Sequence, residues 1–225
     1  MCPRLQGDLS RERPLTGARF NVEDGMVVQS RFAIVPGQDP DFPLSKSDFI
    51  PTKSLFLIPY EDDVGPGSDL TFTESEQDAM EAVARYMAQA EYLPSLVLAS
   101  RTKRSREAVD ILNATLRQEP AVFMERALHY GSVQDLMERL RCVSNLIPSV
   151  LLIAGRRVLE ALALQLSRGY GPYAARAARH RLLSDFPGGA FVALSLAVES
   201  WGAVTAKSGL LEAYIRPRDL QPRDH

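Results

Sequence analysis

A chain of 225 residues, 45% of them hydrophobic and 24% charged, is long enough for one α/β domain with an extension and can bury a sizeable core. Its net charge of −2 supplies no global field for nucleic acid or a membrane surface. No stretch is long and apolar enough to span a bilayer, and the first residues carry no apolar signal-like run, so the expectation is a cytoplasmic protein without membrane contact.

Residues 1–50 read as an extended, partly ordered arm. Pro3, Pro14, Pro36, Pro40 and Pro43 interrupt it, and only Met26–Val28 and Phe32–Val35 look strand-like. Regular patterning occupies 51–220, and 221–225 form a short tail. Leu55–Ile58 reads as a buried strand. Thr73 caps a helix with Glu74 and Glu76 in its first turn, and Met80, Val83, Ala84 and Met87 mark its inner face. Leu96–Ala99 is a second strand, followed by a helix through Ala108, Ile111, Leu112 and Leu116. Val122–Met124 is a third strand. Ser132 caps a helix carrying Val133, Leu136, Met137 and Leu140. Val150–Ala154 is the most apolar strand and leads into a helix through Val158, Leu162 and Leu166. Phe191–Ala197 and Leu210–Ile215 close the chain as an antiparallel pair around a loop with Trp201 and Gly202. Strands alternating with helices predict a three-layer α/β/α sandwich on a mostly parallel sheet.

Binding sites in such sheets lie beyond the carboxyl ends of the strands. Here those ends lead into Pro59-Tyr60-Glu61, Ser100-Arg101-Thr102 and Gly155-Arg156-Arg157. At these loops the chain resembles the histidine phosphatase superfamily, within it the SixA-like phosphohistidine phosphatases and the wider phosphoglycerate mutase-like fold. The resemblance covers roughly residues 54–220. Thr73-Glu74 matches the family's helix opening. Ser100 and Arg104 match its Ser-Pro-x-x-Arg pattern. Pro187-Gly188-Gly189-Ala190, Trp201 and the closing Arg216-Pro217-Arg218-Asp219-Leu220 are similar to the SixA group.

The family's catalytic residues are what the resemblance does not carry over. Pro59-Tyr60 stand where the family has Arg-His, the His being its nucleophile. Ala154-Gly155 stand where a later strand ends in Gly-His, unless a one-residue slip puts Arg156 at that second His. A phenol with a pKa near ~10 is a poor substitute for a neutral imidazole, and proline donates no hydrogen bond. Glu61, Asp62 and Asp63 follow immediately, with the charge to oppose a phosphate dianion.

The resemblance therefore implies a degenerate member: no catalytic residues, no cofactor, no metal, and a binding or regulatory role toward a protein partner or a small anionic ligand. Two alternatives stay open. One is an active or altered phosphohistidine or phosphomonoester phosphatase using Arg104 with Arg156, and Tyr60 or water as nucleophile. The other is a small-anion sensor holding its ligand with Arg104, Arg156 and Ser100. Arg104 on an exposed helical turn, and Arg156 with Arg157 as an ordinary exposed pair, are the plain readings of those residues. His129 and His180 have no visible carboxylate or Cys partner and read as incidental. Cys2 and Cys142 read as unpaired thiols in a reducing compartment.

Overall fold

The structure, a computed structural model, describes residues 52–62 and 70–220. The chain divides into units of residues 1–48 and 49–225, and only the second contains described residues. The strand-like segments Met26–Val28 and Phe32–Val35, and Asp63 of the acidic run, lie outside the described residues.

Six strands form one sheet: β1 (Thr52–Tyr60), β2 (Leu96–Ser100), β3 (Ala121–Glu125), β4 (Ser149–Gly155), β5 (Phe191–Ala197) and β6 (Gly209–Ile215), in the spatial order β3-β2-β4-β1-β5-β6. β1 to β4 run parallel, with β1 beside β4 and β4 beside β2. β5 runs antiparallel to β1 and to β6. This is the expected α/β/α sandwich with an antiparallel carboxyl-terminal pair.

Alternation along each central strand feeds two cores. Leu55 and Leu57 of β1 join Val150, Leu152 and Ala154 of β4 on one face. Phe56, Ile58 and Tyr60 join Leu151 and Ile153 on the other. A strand buried on both faces must be apolar at every position, and this is why β1 and β4 read as continuous apolar runs. Helices α1 (Glu74–Gln89) and α2 (Lys103–Leu116) supply buried residues to the second core. Helices α4 (Val133–Arg141), α5 (Arg156–Leu166) and α6 (Tyr173–Ser184) supply the first. Trp201 is fully buried there, its Nε1–H donating to Ile147 O at 2.7 Å.

The caps fall where the sequence places them. Thr73 and Ser132 each complete a capping box, with Glu76 and Asp135 as the reciprocal acceptors. Two helices are additional to the sequence reading: the single turn α3 (Ala127–Tyr130) and α6. Helix α6 buries only Leu182 completely, so it carries almost no apolar periodicity to read.

The end of the fold is fastened by charge. Arg216 holds both carboxylate oxygens of Asp219 (Nε to Oδ2 3.1 Å, Nη2 to Oδ1 2.8 Å), and Arg181 also reaches Asp219. Arg218 pairs with Asp185 at 2.6 Å. The Tyr214 hydroxyl donates to Asp185 O. Burial and the neighbouring Asp185 push the Tyr214 phenol up to about 12. The Arg216 side-chain bonds hold Asp219 down at about 2.

Among the described residues no helix is long and apolar enough to cross a membrane. Cys142 lies just after α4, and Cys2 lies outside the described residues.

Candidate functional site

The carboxyl ends of β1, β2 and β4 bring together the three loops named from the sequence. Tyr60 and Gly155 are register partners at the ends of β1 and β4. Ser100 ends β2, on the far side of β4. The Tyr60 phenol spans the end of β4, which stops at a residue with no side chain. Its Oη lies 3.0 Å from Ser100 Oγ and 3.1 Å from His129 Nδ1. Ser100 Oγ continues to Ser105 Oγ at 2.6 Å and Thr102 Oγ1 at 3.0 Å. Tyr60 is 3% exposed, and Ser100 and Ser105 are fully buried. Each hydroxyl both donates and accepts, so a chain of them satisfies itself inside the protein. His129 is therefore not incidental. It closes the outer end of this chain from α3, with its ring 4.2 Å from that of Tyr130.

The arginines converge on one short segment. Arg104, in the first turn of α2, is 8% exposed, so the reading of an exposed turn is corrected. Its Nη1 donates to the main-chain oxygen of Glu61 at 3.0 Å, and its Nη2 lies 3.7 Å from Glu76. Arg156 opens α5 and donates from Nε to Glu61 Oε2 at 3.0 Å. The amide of Gly188 donates to the other carboxylate oxygen, Glu61 Oε1, at 2.7 Å. One residue on, Asp62 Oδ2 accepts from the main-chain N–H of Arg157 at 3.0 Å, with Arg157 Nε at 3.6 Å. Helix α5 has no side-chain cap from its own N-cap residue, Gly155. Asp62 performs that service from another loop, placing a carboxylate on the positive end of the helix.

Arg104 and Arg156 thus meet, but on the chain itself. The carboxylates of Glu61 and Asp62 accept from Arg156, Gly188 and Arg157, while the main-chain oxygen of Glu61 accepts from Arg104. A methyl group added at Gly155 would overlap Asp62 Oδ1, and one added at Gly188 would lie 2.9 Å from Glu61 Cγ. Both glycines are sites of close approach by the acidic pair. Sequence alone gave no signal that Gly188 faces Glu61, because 127 residues separate them.

Pro59 takes part through its main chain, accepting from Gly189 N–H at 2.7 Å, and its ring lines a cavity of about 200 Å³. Tyr60, Phe72, Met80, Gly188 and Pro217 are also on its wall. Its charged lining residues are Glu61 and Glu76, with no guanidinium among them. A wall of that composition does not suit an oxyanion. Among the described residues no three His, Cys, Asp or Glu side chains form a metal-binding group.

No protein-family model matches the chain, and no curated protein matches it significantly. Solved structures do. The putative phosphohistidine phosphatase SixA from Nakamurella multipartitia is similar with a TM-score of 0.60 and 19% identity, over 74% of this chain and 96% of that one. The putative phosphohistidine phosphatase SixA from Agrobacterium tumefaciens gives 0.58 and 16%, over 73% and 98%. A protein histidine phosphatase SixA complexed with tungstate gives 0.58 and 18%, over 75% and 99%. At these identities the likeness establishes the fold, which is that of the histidine phosphatases.

Proposed function

We propose that this chain is a pseudophosphatase: a histidine-phosphatase-fold protein that binds rather than turns over, serving as a regulatory or recognition module. One observation carries the reading. The place where the fold's chemistry would occur is filled by the chain's own groups. A buried phenol stands at the position of the nucleophilic imidazole, with its hydroxyl engaged by Ser100 and His129. The acidic pair Glu61 and Asp62 takes the donors of Arg104, Arg156, Gly188 and the start of α5. Phosphoryl transfer needs a nucleophile that can reach phosphorus and donors aimed at its oxygens. Here the first is buried and the second are spent.

The same engagement argues against Arg104 and Arg156 as an anion sensor. The enzyme reading has one observation in its favour, the imidazole of His129 set 3.1 Å from the Tyr60 hydroxyl as a base would be. A single assay separates it. Purified full-length protein is expected to leave phosphohistidine and aryl phosphates untouched above background. Turnover that disappears in both Arg104→Ala and Tyr60→Phe would overturn the pseudophosphatase reading.

A further inference from the structure

The outer face of α6 stands apart from the rest of the surface in charge and in exposed apolar area. No Asp or Glu occurs between Glu160 and Asp185, while Arg168, Arg176, Arg179, His180 and Arg181 all do, in a chain whose net charge is −2. Seven large apolar or aromatic side chains stand exposed among the described residues, and three of them belong to this one segment: Tyr170 at 68%, Tyr173 at 80% and Leu183 at 52%. Spacings of three and four residues put Tyr173, Arg176, His180 and Leu183 on one stripe of α6. The stripe is about 15 Å long at 1.5 Å per residue.

The basic residues divide in two. Arg179 donates to Ser167 Oγ at 3.2 Å, and Arg181 is tied to Asp219 and lies over the Tyr214 ring at 5.5 Å. These fasten the helix to the domain. Arg176 and His180 are exposed on the stripe, and among the described residues neither side chain makes an ion pair. Tyrosine and arginine together are the residues most often found at the energetic centre of protein interfaces. A rigid helix presenting them loses little side-chain freedom on binding.

We propose that this face of α6 docks an acidic, amphipathic segment of a partner protein. Apolar side chains of the partner would cover Tyr173 and Leu183 at the two ends, and carboxylates would meet Arg176 and His180 between them. The charge pattern favours a protein over a nucleic acid. A phosphate backbone is followed by a run of free cations, whereas here two of the three α6 arginines are committed internally and the remaining Arg176, with His180, is flanked by Tyr173 and Leu183. The inference stands on α6 alone, so phosphatase activity at the strand ends would leave it intact.

The test uses the full chain and a fluorescently labelled helical peptide with Leu at positions i and i+10 and Glu at i+3 and i+7, read by anisotropy. Binding is expected, weakened about tenfold by Arg176→Glu and less by Tyr173→Ala, and weakened again at high salt. Exchanging the two Glu for Lys in the peptide should recover binding to Arg176→Glu. Arg85→Glu, on the exposed face of α1 where Arg85 pairs with Glu81, should change nothing. The proposal fails if a scrambled peptide of the same composition binds equally well, or if Arg176→Glu has no effect. It also fails if a single-stranded oligonucleotide of equal charge binds more tightly than the peptide.

Discussion

Two clusters of carboxylates and guanidinium groups use the same parts differently. Around Asp219, Arg216 grips one carboxylate with two nitrogens, and its side chain is 18% exposed against 25% for its partner. At the strand ends, Arg156 touches Glu61 with one nitrogen, with exposures of 34% and 48%. Forked, sheltered contact ties the last strand and its following turn into the domain. Single, wetter contact holds little energy, yet it engages Arg156 at the carboxyl ends of the central strands. The lesson is that occupancy of a site and stability of a fold are separable. A weak internal contact can close a site that it scarcely stabilises.

The largest effect should come from the sheltered cluster. Replacing Arg216 with Ala strips Asp219 of its forked partner and is expected to cost about 2 kcal/mol, read from the urea midpoint. Arg156→Ala should cost at most about 1 kcal/mol in the same measurement. Equal losses would erase the distinction.

Acid should find the same cluster. Asp219 has its folded pKa lowered from 3.8 to about 2. A carboxyl depressed in the folded state contributes stability above its unfolded pKa and loses it as pH falls from about 4 through about 2. Because Asp219 is largely exposed and screened by solvent, the contribution at neutral pH is at most about 1 kcal/mol. Asp219→Asn should flatten the acid limb of the stability curve in that window. An unchanged limb would mean that Arg216 does not hold the carboxylate in solution.

Gly155→Ala probes the filled site. Its new methyl group meets Asp62 Oδ1, so the carboxylate must leave the start of α5, at an expected cost of about 1–2 kcal/mol. In an Asp62→Gly background the same change should cost much less, and a double-mutant cycle measures the coupling. Additive losses would place Asp62 elsewhere.

The smallest change is expected from Glu61→Gln with Asp62→Asn. It should barely alter stability, yet raise inorganic phosphate affinity about tenfold at low salt by loosening Arg156 and the start of α5 and by removing two negative charges, while the bond of Arg104 to the Glu61 main chain stays; the gain shrinks at high salt. Calorimetry at two ionic strengths decides it. Affinity equal to that of the parent would show that the acidic pair is not what closes the site.

Much of the fold was legible because its central strands are buried on both faces. Leu55–Ile58 and Val150–Ala154 have no polar residue to blur them, and Thr73 and Ser132 announce their helices by capping chemistry. Helix α6 was not legible, since Ala and Arg alternate without an apolar face. At the site, the residue positions were legible but their partners were not. Tyr60 and His129 are 69 residues apart, and Glu61 and Gly188 are 127 apart. Such pairings are set by sheet order, and local pattern does not encode them. The acidic run was read for its charge, which suggests repulsion. Its direction, which sets it against Arg156 and the start of α5, depends on where α5 begins in space.

The position of β1 has a consequence for synthesis. It is the earliest described strand to leave the ribosome, and it lies between β4 and β5, whose first residues follow its last by about 90 and 130 residues. At ~5–20 residues per second, the run Leu55–Ile58 waits roughly 5–20 seconds for its first neighbour and longer for its second. Through that interval both of its hydrogen-bonding edges have no native partner, although α1 follows early enough to cover Phe56 and Ile58. The nascent chain is most vulnerable to aggregation there, and a holding chaperone would have its clearest target in β1.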